Sequence, residues 1–153
     1  MKRLLFLLLS ALPLSCYAQD YSTDITTLAN FLKRMYNQTS FEGVKIVEDY
    51  DNSYLISVLS LEKSKYKKES AMFRVAWGKA LAQASEFVNG ANITSDLIIR
   101  TTETKGKTDE EVTVETLDKI HSVGFVQGME LLSNFVPSGD DAKMVFIYSR
   151  KIE

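Results

Sequence analysis

The stretch SAMFRVAWGKALAQASEFVN, residues 70–89, decides the fold of this chain. Its apolar residues recur at the spacing of one helix face, and three alanines stand four residues apart along it. Small side chains on that line let the helix axis lie close to a β-sheet, while Trp77 and Phe87 are expected to fill the core at the two ends. The alanines are Ala76, Ala80 and Ala84. The stretch therefore predicts a long core helix lying on a sheet.

The residues before this helix predict a shorter helix and a β-hairpin. Residues 22–37 carry apolar side chains at helical spacing and begin with serine, threonine and aspartate, which can cap a helix. Residues 44–50 and 54–61 are β-rich, while Asp51-Asn52-Ser53 between them is typical of a turn. A lysine-rich connection, residues 62–68, then leads to the long helix.

The residues after the long helix predict three or four strands. Strands are expected at 93–102, 123–135 and 144–152, the last of them after a turn at 137–141. Residues 110–120 suit either a strand or a short helix, because alternating valines are followed by apolar residues at helical spacing. Two glycines in the segment 123–135 mark bulges or close packing contacts. They are Gly124 and Gly128.

Together these elements predict an α+β fold. The expected order is α-β-β-α-β-(β or α)-β-β, with the helices packed on one face of an antiparallel sheet to give two layers. Residues 19–153 are long enough for one domain with a single core. No metal ligand set, cofactor motif or catalytic arrangement is predicted within it.

Residues 1–18 have the parts of a secretory signal peptide. Basic residues precede an apolar run over 4–14 that is too short to span a bilayer, and the residues that follow predict cleavage after Ala18. Cys16, the only cysteine in the chain, offers lipidation as an alternative, although the residues before it fit a bacterial lipoprotein box poorly. The protein is therefore expected in the periplasm or outside the cell, or else at the outer membrane as a lipoprotein.

The charge balance restricts the partners. The chain of 153 residues has a formal net charge of −2, and removal of Lys2 and Arg3 with the signal peptide makes it more negative. That balance argues against general affinity for nucleic acid or for an anionic membrane. Membrane attachment is expected only if Cys16 is lipidated, and an envelope protein is the expected partner.

The second half of the chain resembles a group of bacterial envelope domains. The features are the alanine-spaced helix, Ser122 with Gly124 and Gly128, and the closing aromatic strand that includes residues 144–148. They are similar to those of the N-terminal domain of the flagellar assembly protein T and of related small outer-membrane lipoproteins. The resemblance extends over residues 54–152. It implies a helix-on-sheet fold and a role in envelope assembly or protein contact, with no catalytic residues.

Three short motifs suggest chemistry, and each lacks a part that the chemistry requires. Gly106-Lys107-Thr108 ends like a phosphate-binding loop, but Thr101 stands where that loop needs its first glycine. The alternating oxygen side chains of residues 49–53 begin like a calcium loop, without its central glycine and final glutamate. His121 is the only histidine, and no nucleophile elbow accompanies it. Structural roles are therefore expected for all three.

The lysine-rich connection is the one segment whose charge departs from the rest of the chain. Its basic side chains can face water, or they can meet an anionic partner such as an acidic protein surface. The residues of this candidate patch are Lys63, Lys65, Tyr66, Lys67 and Lys68.

Two functions from different classes follow from the sequence. The first is a non-catalytic exported protein that binds an envelope protein or joins an assembly. The alternative is a domain that binds a small ligand or an envelope polymer in a pocket lined by aromatic residues such as Trp77, Tyr66 or Tyr148. A hydrolase based on paired carboxylates ranks third, because the pairing of carboxylates in space is invisible in a sequence.

Overall fold

The computed structural model describes residues 23–49, 52–90, 98–101 and 125–152. Within them the chain forms two α-helices, five β-strands and two short 3₁₀ helices. The helices are α1 (Thr23–Gln38) and α2 (Glu69–Gly90), with 3₁₀ turns at Lys63–Lys65 and Val126–Gly128. The strands are β1 (Gly43–Asp49), β2 (Asn52–Glu62), β3 (Ile98–Arg100), β4 (Glu130–Phe135) and β5 (Lys143–Ile152). The predicted α+β class is confirmed, and the undecided segment 110–120 lies outside the described residues.

All five strands belong to one sheet with the order β3-β1-β2-β5-β4. β1 and β2 form the predicted antiparallel hairpin, although Asn52 and Ser53 are part of β2 and not of the turn. β5 pairs antiparallel with β2 from Ser53↔Ile152 to Glu62↔Lys143, and β4 pairs antiparallel with β5. β3 follows the long helix and pairs parallel with β1, so the sheet is mixed.

The helices pack on opposite faces of this sheet, which corrects the prediction of two layers. One buried cluster joins α2 to the strand residues Val44, Ile46, Leu55, Leu59, Leu61, Phe146, Tyr148 and Ile152. The other joins α1 to Val47, Tyr54, Ile56, Val58, Phe135, Val145 and Ile147. Successive side chains of a strand point to opposite faces, so β1, β2 and β5 each contribute apolar residues to both clusters. Both faces of the central strands therefore need a helix to cover them.

α2 lies close to the sheet along its three alanines, as predicted. Ala76, Ala80 and Ala84 are completely buried. The facing strand β2 carries the small residue Ser57, also completely buried, whose Oγ donates a 2.8 Å hydrogen bond to Oε1 of Gln83 on α2. Small side chains on both sides of this contact bring the helix and the strand together.

The expected position of Trp77 in the core is wrong. Its side chain is 48% exposed, and the buried ends of α2 are Met72 and Phe87. Phe73, one turn before Trp77, is half-buried and packs edge to face on Phe146. The side of α2 that faces the sheet therefore lies about a quarter turn around the helix from Trp77. The spacing of apolar residues in the sequence did not show this rotation.

α1 covers the other face through Leu28, Leu32 and Tyr36. The Tyr36 ring lies 5.7 Å from the ring of Phe135 on β4, and the two rings meet edge to face. Asn37, next along the helix, accepts a 3.0 Å hydrogen bond at Oδ1 from the backbone N–H of Ser138. The C-terminal end of α1 therefore contacts both β4 and the turn between β4 and β5.

The predicted strand 123–135 begins later than expected. Residues 125–129 form a turn and a 3₁₀ helix before β4 starts, and the irregular pairing lies between Leu131 and Ser133 rather than at a glycine. Gly128 does mark a close packing contact, because a Cβ atom there would overlap the guanidinium of Arg150. That guanidinium stacks 4.7 Å from the ring of Phe125 and donates to its carbonyl oxygen.

Candidate functional site

The solvent side of α2 carries two of the five large hydrophobic side chains that are exposed among the described residues. We call it the α2 outer face and define it by Arg74, Val75, Trp77, Gly78, Lys79, Ala82 and Glu86, all of them exposed. Trp77 is 48% exposed and Val75 is 38% exposed, and the neighbouring Leu81 and Val88 are half-buried. Val75 and Trp77 stand two residues apart and so lie on opposite edges of this face, and the apolar neighbour of Trp77 on its own edge is Leu81, one turn further along. Exposed tryptophan is typical of surfaces that bind other proteins.

The α2 outer face has a regular spacing that the sequence analysis missed. Uncharged residues recur along this side of α2 at alternating intervals of four and three residues, and three of these six positions are apolar. These positions are Ala71, Val75, Gly78, Ala82, Ser85 and Asn89. The signal was present in the sequence, but the inward alanines carry a similar spacing, and only the fold shows which set faces the sheet.

Gly78 makes no close packing contact with the residues that the structure describes. It lies in the interior of α2, where glycine destabilises a helix by about 1 kcal/mol relative to alanine. A Cβ atom at Gly78 would meet nothing within 4 Å, so there is space for a side chain at this position.

The lysine-rich connection forms an ordered segment with partly neutralised charge. The Nζ of Lys65 lies 2.9 Å from Oε2 of Glu62, and this contact lowers the pKa of Glu62 and raises that of Lys65. Tyr66 is half-buried and packs against the α2 core, while Lys67 and Lys68 are exposed at the entrance to α2. The structure therefore places Lys67 and Lys68 on the surface, next to the exposed Glu69 in the first turn of α2.

An open groove lies between the end of α2 and the start of β1. Its volume is about 560 Å³. The lining residues are Glu42, Gly43, Val44, Lys45, Gln83, Glu86, Phe87 and Gly90. Two carboxylates and one ammonium group at an open, shallow surface suit a polar ligand better than an apolar one.

The aromatic residues that were expected to line a pocket do not meet in this groove. Tyr148 is buried under α2, where its hydroxyl lies 3.5 Å from the carbonyl oxygen of Phe73, and burial raises its pKa. Tyr66 packs on the core and Trp77 faces solvent. A pocket built by these three side chains is therefore not formed.

The acidic residues at the end of β1 have structural partners. Glu48 accepts a 2.7 Å hydrogen bond from Nε of Arg100, and Asp49 accepts one from the hydroxyl of Thr101. Both acids are buried, and they stand on neighbouring positions of one strand, so their side chains point to opposite faces. Asp49, the first residue of the rejected calcium motif, thus helps to hold β3 beside β1.

Several sequence predictions fall on residues outside the described part of the chain. They are the signal peptide with Cys16 and Ala18, the phosphate-loop motif at 106–108, and His121 with Ser122 and Gly124. In the described segments, no group of three or more His, Cys, Asp or Glu residues is arranged to hold a metal ion. Neither helix of these segments has the length and apolar character that crossing a membrane requires.

Comparison of the chain with protein-family models, with curated proteins and with solved structures found no match.

Proposed function

We propose that this protein is an exported, non-catalytic protein that acts through contact with other proteins in the cell envelope or outside the cell. The observation that carries the proposal is Trp77, which is 48% exposed in the middle of a regular, long helix and lies one turn before the half-buried Leu81. Tryptophan is among the residues that contribute most to protein interfaces, and it is costly to leave in water. The signal peptide predicted at residues 1–18 supports the envelope location.

Site-specific crosslinking in the producing cell tests this function. The full chain would carry a photoreactive amino acid at Arg74, one turn before Trp77 on the same side of α2, or at Arg34 on the exposed side of α1 as the control. We expect discrete protein adducts at Arg74 and none at Arg34, with a lower yield when Trp77 is also changed to alanine. Equal, diffuse labelling from both positions, or no adduct from either, would contradict the proposal.

The groove between α2 and β1 favours a second candidate, the binding of a polar small molecule or an envelope polymer. A thermal-shift measurement against envelope glycans and polyamines tests it, because a ligand of the folded state raises Tm. The matched variant is Lys45→Ala, which removes the cation of the groove lining. A ligand that raises Tm equally in both proteins binds elsewhere, and a panel without any effect rejects the candidate.

A further inference from the structure

We infer that Asn89, at the end of α2, is a site of spontaneous deamidation, in which the side-chain amide becomes a carboxylate. Asn89 and Gly90 are the last two residues of the helix, and both are exposed to water. An asparagine reacts with the backbone nitrogen of the residue that follows it. Glycine is the following residue that hinders this reaction least, because it has no side chain.

The reaction needs no partner other than water. The backbone nitrogen of Gly90 attacks Cγ of Asn89, and the bond that forms closes a succinimide ring. The side-chain nitrogen of Asn89 leaves as ammonia and takes up the proton that the backbone nitrogen gives up. Water then opens the ring at either of its carbonyl carbons, which leaves aspartate or isoaspartate at position 89.

The surroundings of the pair permit this reaction. A Cβ atom placed on Gly90 would meet nothing within 4 Å, so no other part of the described chain crowds this glycine. The end of a helix also opens more readily than its middle, which releases the backbone nitrogen for the attack. One contact opposes it, because Nδ2 of Asn89 donates a 3.3 Å hydrogen bond to Oγ of Ser85. That bond is long and exposed, and it therefore holds the amide only weakly.

The other exposed asparagines that the structure describes lack a glycine neighbour. Each is followed by phenylalanine or glutamine, whose side chain hinders attack by its own backbone nitrogen. They therefore serve as internal standards for the reaction rate at Asn89. These standards are Asn30, Asn37 and Asn134.

Deamidation changes both the charge and the backbone at the end of α2. A carboxylate near a helix C-terminus is repelled by the negative end of the helix dipole, and Glu86 stands three residues earlier as a like charge. Isoaspartate also adds a carbon atom to the main chain, which breaks the regular hydrogen bonding of the last turn. Because Glu86 and Gly90 line the groove between α2 and β1, the reaction adds negative charge beside that groove.

Peptide mapping by mass spectrometry tests the site. The full chain, purified from the producing cell, is kept in a mildly alkaline buffer, and the peptide that contains Asn89 is followed with time. We expect this peptide to gain the difference in mass between water and ammonia several-fold faster than the peptides of the internal standards. It should contain isoaspartate, which forms by opening of the succinimide. Conversion no faster than that of the standards, or conversion without isoaspartate, overturns the inference.

Three variants test the roles of the neighbouring residues. Gly90→Ala should slow the reaction at Asn89 several-fold, because the methyl group hinders the attack and the site has room for it. Gly78→Ala is the matched control: it makes the same change in the same helix, also with free space, and should leave the rate unchanged. Ser85→Ala should raise the rate, since it removes the contact that holds the amide. A Gly90→Ala rate equal to that of the wild type, or an equal fall in Gly78→Ala, would overturn the role of Gly90.

Thermal unfolding tests the consequence for α2. Wild-type protein that has been aged until Asn89 is converted should have a lower Tm than fresh protein. Asn89→Gln keeps a neutral amide but places the reacting carbon one bond further from the Gly90 nitrogen, so its Tm should not fall on ageing. An unchanged Tm of the aged wild type, or an equal fall in the two proteins, would overturn the effect of deamidation on the helix.

Discussion

Arg150 on β5 shows how a single side chain joins two parts of this fold. Its guanidinium stacks on the Phe125 ring and donates to the Phe125 carbonyl oxygen, so it holds the turn that precedes β4. The space for the guanidinium exists because residue 128 is glycine. Gly128 is therefore needed for the space that its missing side chain leaves. A positive φ, the other common reason for a glycine, occurs at Gly43 and Gly139.

We expect Gly128→Ala to destabilise the protein by about 0.5–1 kcal/mol, because the added Cβ displaces the flexible end of the Arg150 side chain from its two contacts. Urea denaturation measures the change. In an Arg150→Ala background the same glycine substitution should have little effect, since the group that it displaces is gone. Equal losses in both backgrounds would show that the alanine acts on something other than Arg150.

Two buried tyrosines make stability sensitive to alkaline pH. Burial raises the pKa of Tyr148 and is the largest cause of the raised pKa of Tyr36, to which the carboxylate of Glu42 adds. Above the ordinary value of 10.0 the unfolded chain loses these protons while the folded chain keeps them. The stability that these two tyrosines contribute is therefore fully present below pH 10, and it is lost as the pH rises through their folded-state pKa values.

The free energy of unfolding should accordingly fall above pH 10, with each tyrosine adding at most about 1.4 kcal/mol per pH unit. The Tyr36→Phe/Tyr148→Phe variant should show a shallower fall, measured against its own stability at pH 7. An identical slope in the two proteins would mean that other groups cause the alkaline loss.

At the scale of the element, α2 carries two faces with different tasks. Its inward alanines set the distance to the sheet, and the outward positions leave a surface that nothing in the described structure covers. Substituting leucine on each face separates the two tasks. Ala80→Leu should destabilise by about 1–3 kcal/mol because a completely buried alanine has no room for three more carbons.

Ala82→Leu, two residues further on and exposed, is the matched control and should change the unfolding free energy by no more than about 0.5 kcal/mol. Thermal and urea denaturation of both variants measure the difference. A comparable loss in the two variants would contradict the assignment of the inner and outer faces.

The elements also show how much the sequence could predict. Periodicity located both helices within one or two residues, because capping residues and apolar spacing act locally. It did not predict that α1 and α2 cover opposite faces, although the nearly continuous apolar run of β2, with buried residues on both faces, is typical of a strand covered on two sides. The exposure of Trp77 depends on a rotation of α2 that its distant neighbours determine, and the α2 outer face was missed for the same reason.

At the scale of the whole molecule, the three central strands couple the two helices. β1, β2 and β5 hold both buried clusters, so a loss of packing on the α1 side should unfold the α2 side as well. Trp77, the only tryptophan, lies on α2 and reports that side alone.

We expect Leu32→Ala on α1 to lower stability by about 2–4 kcal/mol, because Leu32 is completely buried. The denaturation curve from Trp77 fluorescence should shift by the same amount as the curve from far-ultraviolet circular dichroism. A shift in circular dichroism without one in fluorescence would show that the two sides unfold separately.

The position of β5 has a consequence for the time course of folding. This strand comes last of the seven α-helices and strands that the structure describes, yet it lies inside the sheet, between β2 and β4. Until residues 143–152 leave the ribosome, the long apolar strand β2 has an open edge. Such an edge is a template for pairing with the wrong chain. Newly made protein is therefore most vulnerable to aggregation during the interval between the synthesis of β2 and that of β5, and a helper that binds extended apolar segments would act in that interval.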